Sequence, residues 1–189
     1  MKKRIFIAID ISDEMRKAAA LYIKQMSEQF PQVPVKWERP EKLHLTIKFL
    51  GSTEETVIPD VINLVSQSAK ASRPFAIEIG GTGAFPSAKN PRTLWLGVSE
   101  STGALKDLAA SINNGCAELG FEPETRAFKP HLSLARIRDT RHAGEIGTAH
   151  AANRFGPFRF NCSEIVIYES HLGRGGSTYE RLHTAKLGG

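Results

Sequence analysis

Two short strings of the same form, His44-Leu45-Thr46-Ile47 and His131-Leu132-Ser133-Leu134, set histidine, apolar, hydroxyl and apolar residues in one order, 87 residues apart in a chain of 189. A separation close to half the chain suggests two structurally related halves, each carrying one copy. Alternating polar and apolar residues is the period of a half-buried strand. Residues two apart on a strand share a face at about 6.6 Å, so each copy shows an imidazole and a hydroxyl together while its apolar residues enter the core.

The segments around these strings supply both helices and strands. Ile5 to Ile11 reads as a buried strand, and Ser12 caps a helix whose inner face is Met15, Ala18, Ala19, Tyr22 and Met26. Val35 to Glu38 is extended, and Leu43 to Leu50 is a strand stopped by Gly51. Ser52 and Glu55 have the spacing of a capping box for a second helix through Val57, Val61, Leu64, Val65 and Ser68. Phe75 to Ile79 alternates as a strand, Gly80 to Arg92 reads as a loop with a mobile glycine turn, and Thr93 to Val98 returns as a strand. Leu105, Leu108, Ile112, Cys116 and Leu119 mark a third helix ending at Gly120. Phe128 to Ile137 is a strand, a helical segment follows from about Arg141 to Ala152, and two strands close the chain around the turn Gly173 to Gly176. This order is neither a regular βαβ array nor an all-β barrel, so the expected class is α+β with two sheets, folded as a single domain over residues 1–189.

Bulk properties narrow the setting. A hydrophobic fraction of 41% buries a core without disulfides, and Cys116 and Cys162 lack the spacing of a redox or zinc pair. Reduced thiols fit the cytoplasm. The Ile5 to Ile9 run meets Asp10 too early for a secretory signal, and no stretch approaches the ~20 apolar residues of a membrane span. A net charge of +5 mildly favours polyanionic partners.

Two histidines and two hydroxyls converging on one cleft suit a tetrahedral phosphate. Opening a cyclic phosphodiester needs water deprotonated on one side and the departing oxygen protonated on the other. Histidine, with its pKa near 6.5, performs both tasks, and hydroxyls stabilise charge building on the non-bridging oxygens.

The extended strings His44-Leu45-Thr46-Ile47-Lys48-Phe49-Leu50-Gly51 and Phe128-Lys129-Pro130-His131-Leu132-Ser133-Leu134-Ala135-Arg136, with the opening Arg4 to Ile9 and the Trp37 segment, closely resemble the 2H phosphoesterase superfamily. The likeness is to its RNA 2′,3′-cyclic phosphodiesterase branch, also called 2′-5′ RNA ligase. The resemblance implies a bilobal α+β fold with a cleft between intertwined, pseudo-symmetric lobes. It further implies no metal or cofactor, RNA with 2′,3′-cyclic ends as partner, a 2′-phosphomonoester product, and 2′-5′ ligase activity. By the same likeness His44 is the general acid and His131 the general base, with Thr46 and Ser133 beside them. A monomer is expected.

Other residues have plainer readings as well. Lys48 alternates to the His44 side as a backbone-phosphate contact, or merely solubilises. Arg126 and Arg136 flank the second motif and can grip phosphate, although parity puts Arg136 on the face opposite His131. Phe49 alternates into the core. Trp37 stacks on a base or, more in keeping with its type, packs inside. His142, His150, His171 and His183 are read as solvated or hydrogen-bonded. Alternatives are an enzyme for small cyclic nucleotides or ADP-ribose cyclic phosphate, a non-catalytic RNA-end-binding module, and a histidine metallohydrolase, which lacks a third convincing ligand.

Overall fold

A computed structural model describes residues 1–139, 141, 143–173 and 176–188. In chain order the elements are β1 (Lys2–Asp10), α1 (Asp13–Gln29), β2 (Val35–Trp37), β3 (His44–Glu54), α2 (Ile58–Ala71), β4 (Phe75–Pro86) and β5 (Pro91–Ser99). These are followed by α3 (Ala104–Glu118), β6 (His131–Ile137), α4 (Ala143–Ala152), β7 (Phe158–Cys162), β8 (Glu164–Gly173) and β9 (Gly176–Lys186). The strands form two sheets, ordered β3-β1-β8-β9 and β2-β6-β5-β4-β7, and every pairing is antiparallel. This is the α+β class expected, with one motif strand in each sheet.

The two halves are interwoven rather than sequential. Helices α2 and α3 pack against each other and against β3, β8 and β9, covering the four-stranded sheet. Helix α4 packs on β4 and β5 of the other sheet, and α1 joins it there through Tyr22 to His150 and Met26 to Asn153. Thus α1 leaves one lobe to cover the other, and α3 makes the reverse crossing. Ile5, Ile7, Ile9, Leu94, Leu96, Leu132 and Leu134 form the buried floor of a continuous apolar core. The strand β3 touches β6 where the sheets meet.

Local signals succeed at the start of α1, where the Ser12 hydroxyl accepts from the Met15 amide at 3.2 Å and Asp13 and Glu14 occupy the first turn. The expected capping box does not form. Ser52 lies inside β3, which runs on to Glu54, and α2 begins after Val57, which makes no side-chain cap bond. Gly51 does not stop the strand; it takes φ 71° at a bulge that lets β3 continue along β1. The expected loop from Gly80 is likewise replaced by strand up to Pro86. Gly81 (φ 71°) sits in a bulge, and a Cβ on Gly83 would occupy the space of the Trp95 indole, so these glycines permit close pairing rather than a mobile turn. The described part of the fourth helix, Ala143–Ala152, agrees with expectation, and His142 lies outside the described residues.

Candidate active site

The two motifs have the same local architecture. On β3 the pairing with β1 runs Ala8 to Thr46 and then Ile7 to Lys48, leaving Ile47 as an extra residue. On β6 the pairing with β5 runs Trp95 to Ser133 and then Leu94 to Ala135, leaving Leu134 extra. A one-residue bulge sets two consecutive side chains inward and reverses the alternation beyond it. Ile47 and Lys48 are both buried, as are Leu134 and Ala135, and the next residue, Phe49 or Arg136, turns outward on the face of the motif histidine.

Both rings are anchored alike. Nδ1 of His44 lies 2.7 Å from the Lys42 carbonyl oxygen, and Nδ1 of His131 lies 2.7 Å from that of Lys129. A carbonyl only accepts, so each Nδ1 carries its proton and each Nε2 is left as the nitrogen able to exchange one. Thr46 is exposed and Ser133 half-buried on the same faces, and neither hydroxyl is engaged by another group among the described residues.

The surroundings of the two rings differ. His44 packs on Phe6 at 4.8 Å between centroids and edge-on to Tyr179 at 5.4 Å. Burial pushes its pKa down, against an upward pull from the Lys42 carbonyl bond and the charges of Asp10 and Glu38. Asp10, paired with His44 across the strands, accepts from the Tyr168 hydroxyl at 2.8 Å and from Arg181. Burial and the adjacent Asp10 carboxylate raise the Tyr168 pKa to about 12, so that hydroxyl stays a donor. His131 sits edge-on to Phe85 at 5.1 Å, with Trp95 at 6.3 Å. Lys42 connects the parts: its carbonyl holds His44 while its ammonium donates to the Ser177 carbonyl on β9.

The bulges correct three expectations. Lys48 points away from His44, 7% exposed, and donates to Asn113 Oδ1 at 2.8 Å and to the Glu122 carbonyl at 3.0 Å. It is an internal tether, not a group facing the cleft. Phe49 is 51% exposed rather than core, with the Arg4 guanidinium 4.7 Å above its ring. Arg136 is exposed on the His131 face, contrary to simple parity. Arg126 is on the surface, paired with Glu124 at 2.7 Å, and Trp37 is half-buried against the core.

Phe6, Asp10, Tyr168, Tyr179 and Arg181 were not singled out from sequence. Phe6 and Asp10 share a strand face by alternation, but Tyr168, Tyr179 and Arg181 reach His44 only through sheet pairing distant in sequence. Among the described residues, Glu169, His171 and Glu180 form a group with metal-ligand spacing, but neither motif histidine belongs to it and Lys3 already pairs with Glu169 at 2.7 Å.

The fold and paired strands define a bilobal α+β protein with one H-x-[ST] motif on each sheet. The family model of the 2′-5′ RNA ligase superfamily matches residues 15–174, and the chain belongs to that superfamily. An Archaeoglobus fulgidus protein named RNA 2′,3′-cyclic phosphodiesterase is 33% identical over 180 residues, covering 95% of this chain and 97% of its own. An Aquifex aeolicus protein of the same name is 30% identical, with 98% of each chain covered. Among solved structures, a Thermus thermophilus protein superposes with TM-score 0.81 at 27% identity, covering 98% of both chains. Escherichia coli LigT complexed with 3′-AMP superposes with TM-score 0.82 at 23% identity and 99% coverage of both, a likeness of fold.

Proposed function

We propose that this protein hydrolyses the 2′,3′-cyclic phosphate at the end of an RNA strand to a 2′-phosphomonoester, without a metal ion. The carrying observation is the matched pair of Nδ1–H bonds, to Lys42 and Lys129, which leaves an Nε2 on each motif strand for proton transfer. The relatives named RNA 2′,3′-cyclic phosphodiesterase support the choice of substrate.

Nε2 of His131 takes a proton from water as its oxygen bonds to phosphorus. The P–O3′ bond breaks, and Nε2–H of His44 delivers its proton to the departing O3′, so one water is added and the phosphate remains on O2′. Thr46 and Ser133 donate to the non-bridging oxygens, and Arg136, the next outward residue after Ser133, neutralises their charge. Burial makes the His44 imidazolium a stronger acid, and the bound phosphate anion favours its protonated form. A 5′-hydroxyl in place of water, with the same bond broken, gives a 2′-5′ linkage. One chain supplies both histidines, so a monomer suffices.

The test is an RNA oligonucleotide ending in a 2′,3′-cyclic phosphate, incubated with the protein in excess chelator. The expected product is the 2′-phosphate, formed at least on the order of a hundredfold more slowly with His44→Ala or His131→Ala. A 3′-phosphate product reverses the assignment of acid and base, and an uncleaved end refutes the activity.

A further inference from the structure

We propose that the sheet surface beyond Thr46 is a second subsite, in which Phe49 stacks on the base of the nucleotide preceding the cyclic end while Arg4 holds its phosphodiester. This rests on the RNA-end reading above and names what distinguishes a polymer from a mononucleotide.

Three observations carry it. First, the Ile47 bulge makes Phe49 the next outward position after His44 and Thr46 on the same face, about 7 Å past Thr46 by strand geometry. A strand held at the two motif hydroxyls therefore meets this ring next. Second, Phe49 is 51% exposed, and the exposed Arg4 guanidinium stands over it at 4.7 Å with no acidic partner among the described residues. A half-exposed aromatic ring beside an arginine without a carboxylate partner is a pairing that takes single-stranded nucleic acid, because every base has a stacking face and every linkage a charge. Third, the surface is continuous with the motif. Tyr179, edge-on to His44, lies within electrostatic reach of both Arg4 and Arg136. Phe49 and Arg136 also occupy matching places on the two motif strands, so one wall presents a ring and the other a guanidinium.

A surface Arg–Phe contact that only shields an apolar ring would affect stability and leave substrate preference alone. The discriminating experiment compares a 2′,3′-cyclic mononucleotide with a trinucleotide ending in the same cyclic phosphate, using wild type, Phe49→Ser, Phe49→Tyr and Arg4→Gln. Thermal unfolding of each variant establishes that it is folded. The wild type is expected to favour the trinucleotide in kcat/KM. Phe49→Ser and Arg4→Gln should each reduce kcat/KM for the trinucleotide on the order of tenfold, through KM, while leaving the mononucleotide unchanged. Phe49→Tyr should retain the preference. Arg4→Gln should also flatten the dependence of log kcat/KM on log salt for the trinucleotide, because one phosphate contact is lost. Equal effects on both substrates, no effect on either, or lower stability with an unchanged substrate ratio overturns the subsite. A wild type that cleaves neither substrate overturns the RNA-end reading instead.

Discussion

His44 and His131 hold their rings by the same bond, Nδ1 to the carbonyl oxygen two residues upstream at 2.7 Å. The consequence is a fixed tautomer on two strands that meet at the junction of the sheets. Replacing either ring with alanine is expected to lower turnover of a cyclic-ended oligonucleotide by at least on the order of a hundredfold, the lower end for a general acid or base. The double variant should lose little more than the worse single one, because groups acting in one step are not additive. Single-turnover rates at matched concentrations of folded protein measure both.

The pH profile follows from the unlike surroundings of the rings. With one histidine protonated and the other neutral, the rate should be bell-shaped, its two values belonging to the pair. Burial among Phe6 and Tyr179 lowers the His44 pKa in the free protein, so one value in kcat/KM should lie below the ordinary 6.5. A bound phosphate anion favours the imidazolium, so the same limb should appear at higher pH in kcat. Profiles of kcat and kcat/KM whose limbs coincide contradict this, and a flat profile removes the mechanism.

The repeat of histidine and hydroxyl, the α+β class and most elements are legible in the sequence because each follows from local periodicity, two residues in strands and about 3.6 in helices. What lies beyond the hydroxyls is not. Alternation assumes an unbroken pleat, and one extra residue at Ile47 and at Leu134 reverses it, sending Lys48 inward and Phe49 and Arg136 outward. Nothing in the residue types announces those bulges. The Gly80 to Gly83 run misleads for a related reason: glycine marks turns, but here Gly83 makes room for Trp95 inside a paired strand. Tyr168 and Tyr179 reach the His44 side on β8 and β9, a placement set by strand order.

Lys48 distinguishes a cleft cation from an internal tether. Its ammonium joins β3 to α3 and to the segment after it, and Asn113 extends the network by accepting from the Glu124 amide at 2.9 Å. Lys48→Met leaves the Glu122 carbonyl without its partner and should cost about 1–3 kcal/mol of stability. The salt dependence of kcat/KM should not change, because no phosphate contact is removed. Urea unfolding and kinetics at several salt concentrations read the two effects separately, and a flatter salt dependence would place Lys48 on the substrate after all.

His150 makes stability depend on pH away from the motifs. Its ring is fully buried between α1 and β5, with Nε2–H donating to the Trp95 carbonyl at 3.1 Å and Nδ1 accepting from the Tyr22 hydroxyl at 2.7 Å. Burial raises the Tyr22 pKa to about 12, so the phenol keeps its proton and remains the donor. Burial also lowers the His150 pKa. An unfolded histidine takes up a proton near pH 6.5 while the folded one resists until lower pH, so the unfolded state binds more protons in that window and stability falls as pH drops through it. Protonated Nδ1 would also stop accepting from the Tyr22 hydroxyl, which would have to turn its hydrogen away and lose that buried bond as a donor. His150→Gln should therefore be less stable than wild type near pH 8, by about 1–3 kcal/mol for the disturbed bonds. It should also lose less on going to pH 5, so the two stability curves converge. Urea midpoints across that range measure the difference, and parallel curves would mean that His150 takes its proton as readily in the fold as outside it.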